Sequence, residues 1–329
     1  MSHEPMNVEK TRRPLCQKSL ISLLMRKNTF TPKPALEKLP LAVRKDLRDN
    51  FESKKEEFES QINETLGVPV KINIEPNAVW AYAEASGASS AGSTIAGYIE
   101  GFVDAAKSYV SKFGDLGKEY FKNAVSKAEL TLVVNEKGAD ADSIHADVKD
   151  GVFRILFHQE RLGYNQSWLS DPFVKAIDTA PQEGFDLLAK HSIETEYNAE
   201  IETVQEEIGK TLNLSDVVLD PNFEENYSKL LKKVDKDWQR TFGRATFEYF
   251  NDGLKSQLER QGFKGDEMLQ EGFAEGVPSK TFKLRIVDKT KSGSTNETIL
   301  EDGVIFIQTT IDNWWYNVYE AGSNVVDLL

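Results

Sequence analysis

Residues 99–114, IEGFVDAAKSYVSKFG, and residues 247–262, FEYFNDGLKSQLERQG, agree at six of 16 positions with a constant offset of 148. The shared residues are Glu100/Glu248, Phe102/Phe250, Asp104/Asp252, Lys107/Lys255, Ser108/Ser256 and Gly114/Gly262. A chain that repeats itself at this spacing is constrained to fold as two like units, each with its own core. Further matches keep the same order. Ile62, Thr65 and Leu66 match Ile208, Thr211 and Leu212, and IEPN (Ile74–Asn77) matches LDPN (Leu219–Asn222). Tyr82 matches Tyr227. Beyond them GVFRILF (Gly151–Phe157) matches GVIFIQT (Gly303–Thr309), and Tyr164-Asn165 matches Tyr316-Asn317, both at an offset of 152.

Each unit reads as α+β. A charged helix opens it, at about Val43–Leu66 and again at about Gly184–Leu212, with apolar residues in helical register. A short extended piece ends at Pro76 or Pro221. The second unit continues helically through Phe223, Tyr227, Leu230, Leu231, Val234, Trp238 and Phe242. The first has instead the small-residue stretch Ala83–Thr94, whose Gly and Ser content disfavours a helix. The repeated stretch 99–114/247–262 reads as a helix closed by glycine. ELTLVV and FKLRIV alternate with period two and lead into a meander. The expected fold is thus a tandem duplication of a domain with about three helices packed on a small, mainly antiparallel sheet. Its boundaries are 1–34 for a basic N-terminal arm, 35–178 for the first repeat and 179–329 for the second.

The arm carries seven basic and two acidic side chains, whereas the 329-residue chain has a formal net charge of -13. That balance disfavours a nucleic-acid surface. No apolar run approaches the ~20 residues of a membrane span, so membrane contact is expected only through the arm, at residues 18–28. The expected location is the cytoplasm, with organelle targeting by the arm as the alternative. The lone Cys16 excludes an intrachain disulfide and a thiolate zinc cluster.

Candidate chemistry is sparse. His3, His145, His158 and His191 form neither HxH nor HExxH, although His145 and His158 can meet across the sheet. The acidic loop with Asp140, Asp142, Asp147 and Asp150 lacks the EF-hand order. Gly87, Gly92 and Gly97 precede a helix without the lysine of a phosphate loop. Glu100/Asp104 and Glu248/Asp252 read as helix-surface acids near Lys107 and Lys255. No catalytic, cofactor or metal residues are assigned. The aromatic segment IDNWWYNVY (Ile311–Tyr319) and its counterpart RLGYNQSW (Arg161–Trp168) stand out. Read as strands they cannot bury all their rings on one face. Tyr164, Asn165, Trp168, Trp314, Trp315, Tyr316, Asn317 and Tyr319 are therefore the candidate recognition surface. The leading expectation is a non-enzymatic binding or scaffold protein, recognising a small ligand or protein partner through that strip or an interdomain cleft. A cleft enzyme using carboxylate acid–base chemistry and a self-assembling structural protein are the alternatives.

Overall fold

The computed structural model describes residues 30–329. The arm's apolar stretch, Cys16 and His3 lie outside the described residues. Helices α1 (Leu41–Asn50) and α2 (Lys55–Leu66) replace the single opening helix read from the sequence, with a short 3-10 turn between them. Their buried stripe is Val43, Leu47, Phe51, Phe58, Ile62 and Leu66, and Gly67 closes α2 in the left-handed conformation. Strand β1 (Lys71–Ile72), α3 (Pro76–Trp80) and the single turn α4 (Ala83–Ser86) follow. Pro76 opens α3, where its missing N–H costs nothing. Helix α5 (Ala91–Ala124) is kinked at Gly114, and it leads into β2 (Glu129–Val134), β3 (Ile144–Lys149), β4 (Val152–Phe157) and α6 (Ser170–Asp178).

The second half runs through α7 (Leu187–Ser192), a π turn at Ile193–Tyr197, α8 (Ile201–Leu212), β5 (Val218–Asp220) and α9 (Phe223–Leu230). It continues with α10 (Phe242–Glu248), a π turn at Tyr249–Lys255, α11 (Ser256–Arg260) and α12 (Glu267–Gly276). It ends on β6 (Thr281–Ile286), β7 (Asn296–Glu301) and β8 (Val304–Thr309). The helix read through Phe223–Phe242 breaks after Leu230, and Leu231 and Val234 point into solvent.

Two small mixed sheets result, ordered β1-β2-β4-β3 and β5-β6-β8-β7. This corrects the expectation of a mainly antiparallel meander. In each sheet two of three pairings are parallel, and only β3–β4 and β7–β8 are antiparallel. The chain leaves β2 and passes the place of β4 to form the edge strand β3. It then returns between them through a tight hairpin. Asp150 and Gly151 both have positive φ there, as do Asp302 and Gly303, the signature of a type I′ turn.

The registers of β2, β3 and β4 are related to those of β6, β7 and β8 by one number. Leu130 faces Phe153 as Phe282 faces Ile305, and Ile144 faces Phe157 as Asn296 faces Thr309. The long helices correspond differently from the 148 offset. The Tyr98 hydroxyl accepts the Gly163 N–H at 2.8 Å, and the Tyr249 hydroxyl accepts the Trp315 N–H at 3.1 Å. Gly101 lies against the Gln166 carbonyl as Gly253 lies against that of Val318. These contacts pair the helices about one turn away from the Asp104/Asp252 match. A helix face recurs every ~3.6 residues, so a slip of one turn preserves the apolar stripe.

The stretch Ala83–Thr94 also departs from expectation, because it is helical at Ala83–Ser86 and again from Ala91. Tertiary packing overrides propensity here. A β-carbon on Gly92 would collide with the Asp46 carbonyl, so glycine lets α5 lie directly on α1. The Gly92 and Ser93 N–H groups donate to Asp46 Oδ2 and are not offered to a phosphate. In the second half Ser192 Oγ takes the Gly243 and Arg244 N–H groups, and Gly243 lies against the Ser192 carbonyl.

Two apolar cores form. One draws on residues from Leu39 to Leu188, the other on residues from Ala189 to Val325. In the first, Phe102, Phe121, Phe153 and Phe173 meet with ring centroids 5.0–6.3 Å apart, joining α5, β4 and α6.

Candidate functional site

The aromatic segments are not strands. Residues 158–168 and 310–317 follow β4 and β8 as consecutive turns, so alternation does not sort their side chains. Trp314 is buried at 6% exposure, packed 5.8 Å from Phe242 and 5.5 Å from Tyr249. It belongs to the core. Trp315, at 40%, Tyr316, at 63%, and Tyr319 face outward. In the first loop Tyr164 and Trp168 are exposed, Trp168 at 70%. Asn165 and Asn317 both take the left-handed conformation, which asparagine tolerates better than most residues, and so shape the turns.

The backbones beneath these rings are bolted down. The Asn296 side chain donates to the carbonyls of Tyr316 and Asn317 at 2.8 Å, and Gln257 donates to that of Tyr319 at 2.5 Å. Gly163 and Trp315 occupy corresponding places under the two tyrosine hydroxyls, and both have positive φ, 88° and 64°. Glycine adopts that conformation freely, whereas a tryptophan there is a genuine outlier. The Trp315 indole N–H donates to Glu248 Oε2 at 2.5 Å, which fixes the ring. Glu248 also pairs with Arg244 at 2.7 Å.

A second concave region, of about 1120 Å³, lies where the two cores meet. Its walls include His145 from β3, Asp171, Lys175 and Asp178 from α6, and Tyr227, Gln239 and Arg240 from the second half. Two carboxylates converge at its base on the start of α7. Asp178 accepts the Leu188 N–H at 2.9 Å, and Asp186 accepts the Ala189 N–H at 2.8 Å. Asp186 also accepts from the Tyr227 hydroxyl, at 2.8 Å, and from the Gln239 amide. Burial, reinforced by the Asp186 charge, pushes the Asp178 carboxyl up to about 6. Burial also raises Asp186, against the pull of its hydrogen bonds. His145 is held below its ordinary value by burial and by Lys137 and Lys175. The sequence signalled none of this, because Asp178 and Asp186 meet only when α6 and α7 fold against each other.

A carboxyl whose folded pKa is raised binds its proton more tightly in the native state. Its contribution to stability is complete below the unfolded pKa and is lost as pH rises through about 6. Asp178→Asn keeps an acceptor for the Leu188 N–H and removes the charge. The variant is expected to be more stable than the parent by roughly 1–2 kcal/mol near pH 7, after allowance for solvent screening. Near pH 4 the two should unfold alike. Urea titrations across that range check this, and an unchanged pH dependence in the variant would remove Asp178 as its source.

The other histidines go elsewhere. His158 is buried at the end of β4, and its Nδ1 accepts the Glu160 N–H at 3.1 Å. His191 meets Phe113 edge-on at 4.9 Å. Among the described residues no three His, Cys, Asp or Glu side chains cluster to hold a metal ion. Asp147, read from the sequence as part of an acidic loop, lies in β3 and is committed to Arg154 of β4 by a bidentate pair at 2.7 and 2.5 Å. Asp104 lies 3.9 Å from Lys107 on an exposed helix face, while Lys255 turns to Glu207 at 2.9 Å. No described helix is long and apolar enough to cross a membrane. Comparison with protein-family models, curated proteins and solved structures returns no match for this chain.

Proposed function

We propose that this is a non-enzymatic binding or scaffold protein, built on a duplicated α+β frame, that recognises a ligand or protein partner through its aromatic loops. The observation that carries the reading is Trp315. A bulky side chain is held at positive φ with a large part of its ring in solvent, next to exposed Tyr316 and Tyr319. Strain retained at an exposed aromatic is a pointer to function. Rigid backbones presenting Trp and Tyr give large contact area at low entropic cost on binding. The duplication is supported by the common strand order and by the parallel pairs Tyr98/Tyr249 and Gly101/Gly253. The units read as 35–178 and 179–329, after the arm at 1–34, remain part of this proposal, and the change of core falls later, between Leu188 and Ala189.

Fluorescence tests the reading directly. Trp80, Trp238 and Trp314 are buried, so acrylamide should quench Trp168 and Trp315 selectively. A panel of oligosaccharides and peptides should contain members that protect those two rings, and Trp315→Ala should abolish protection at its loop while leaving unfolding nearly unchanged. If ligands of the panel bind without protecting either ring, recognition lies elsewhere. A second reading, acid–base chemistry in the central cleft, draws on Asp178. Both of its carboxylates, however, are occupied by the N–H groups of α7.

A further inference from the structure

The half that carries Trp315 has a polar chain that the other half lacks. Gly92 lies against the Asp46 carbonyl as Gly243 lies against that of Ser192, and the Tyr98 hydroxyl accepts the Gly163 N–H as that of Tyr249 accepts the Trp315 N–H. These contacts set Ser93, Gly97 and Gly163 in the places of Arg244, Glu248 and Trp315. In the second half the three side chains are joined. Glu248 accepts from the Arg244 guanidinium on Oε1 at 2.7 Å and from the Trp315 indole N–H on Oε2 at 2.5 Å. In the first half Ser93 turns to Asp46, and the Gln166 side chain lies where a β-carbon on Gly97 would go. Gly97 and Gly163 supply neither a carboxylate nor a ring.

The neighbourhood of the Trp315 ring is acidic. The hydrogen bond to Glu248 holds the Arg244 guanidinium above its ordinary value, and the charges of Asp252 and Glu196 act in the same direction. Three carboxylates thus act on one guanidinium. Lys255, in the π turn with Asp252, is already paired with Glu207 at 2.9 Å. The loop at 310–320 contains Asp312 and Glu320 and no lysine or arginine, and Lys233 reaches its start at the Ile311 carbonyl, 3.4 Å away. An indole whose N–H donates to a carboxylate gains electron density on its face, the side that attracts a cation.

We propose that the surface at Trp315, with its Glu248 anchor, docks an arginine-rich peptide segment, one guanidinium lying over the indole face. The inference rests on the reading of the aromatic loops as a recognition surface and names the partner of one of them. Charge complementarity sets the sign, because the carboxylates about the ring outnumber the guanidinium they act on. Arginine suits the place better than lysine, since its planar guanidinium both stacks on a ring and pairs with a carboxylate. The size of the effect sets the partner's length. Trp315, Tyr316 and Tyr319 lie open to solvent, and a single exposed cation–π contact improves affinity by only about two- to fivefold. A lone small cation is therefore not retained, whereas a peptide brings several cations to the acidic surroundings in one encounter. The net charge of -13 steers such a partner toward the protein.

Hexa-arginine is the probe, with hexa-citrulline as a peptide of the same length and planar end group that lacks the charge. In NMR of the full chain, hexa-arginine should move the Trp315 indole N–H signal saturably, with an affinity at least about tenfold above that of hexa-citrulline and falling as salt is added. By calorimetry Trp315→Ala, which leaves every charge in place, should weaken hexa-arginine binding at least about threefold, and Trp168→Ala should leave it within about twofold. Binding unchanged in a folded Trp315→Ala, or weakened equally by Trp168→Ala, would reduce it to general attraction between opposite charges and overturn the proposal. So would equal responses to the two peptides, a result the variants do not affect if they fail to fold. A neutral peptide or an oligosaccharide that moves the Trp315 signal when hexa-arginine does not would leave the loop a recognition surface and overturn the basic partner alone. Silence of that signal toward every one of these probes would count against both readings.

Discussion

Trp314→Ala is expected to cost about 3–5 kcal/mol of stability, the range for deleting a large aromatic from a packed core, whereas Trp315→Ala should stay within about 1 kcal/mol. The two residues are neighbours in sequence and opposite in environment. Trp314 fills the space between Phe242 and Tyr249, and its indole nitrogen has no hydrogen-bond partner among the described residues. Removing it therefore leaves a cavity without orphaning a partner, and the loss is one of packing alone. Trp315 contributes one surface hydrogen bond to Glu248 and sits on a backbone held through its own N–H by Tyr249. Alanine retains that N–H. Denaturant midpoints of both variants check the contrast. Equal losses would mean that the Trp315 ring is structural, and the recognition reading would lose its main support.

Asn226→Ala should cost about 3 kcal/mol, since each buried polar group left unpaired costs ~1–3 kcal/mol. The Asn226 amide bonds the carbonyls of Pro221 and Leu284, and its oxygen takes the Ile286 N–H. Alanine would strand the edge of β6 beneath α9 without these partners. The unfolding free energy in urea measures the effect. A loss below about 1 kcal/mol would mean that water enters and satisfies the strand edge readily.

Much of the secondary structure was legible because its causes are local. The buried stripe from Val43 to Leu66, the proline at the start of α3, and the alternation in β2 and β6 all follow from spacing. Asp150-Gly151 and Asp302-Gly303 carried a further signal, since Asp-Gly between alternating strands specifies a type I′ hairpin. That turn makes β3–β4 and β7–β8 antiparallel, but it leaves the partner of β2 open. Tertiary structure decided that β4 inserts beside β2 in parallel, because strand order depends on which helices cover which edge. Packing also decided that glycine-rich residues after Ser90 form a helix, where Gly92 permits contact with the Asp46 carbonyl. It moved the helix correspondence by a turn, because helical periodicity alone does not fix register. It placed Trp314 inside and Trp315 outside by turn geometry, where strand alternation had been expected. The meeting of Asp178 with Asp186 and the closing of the β6 edge by Asn226 arise from how separate elements pack against one another. Composition and periodicity report what each segment prefers by itself, whereas these features depend on which groups are left facing one another after the cores have formed.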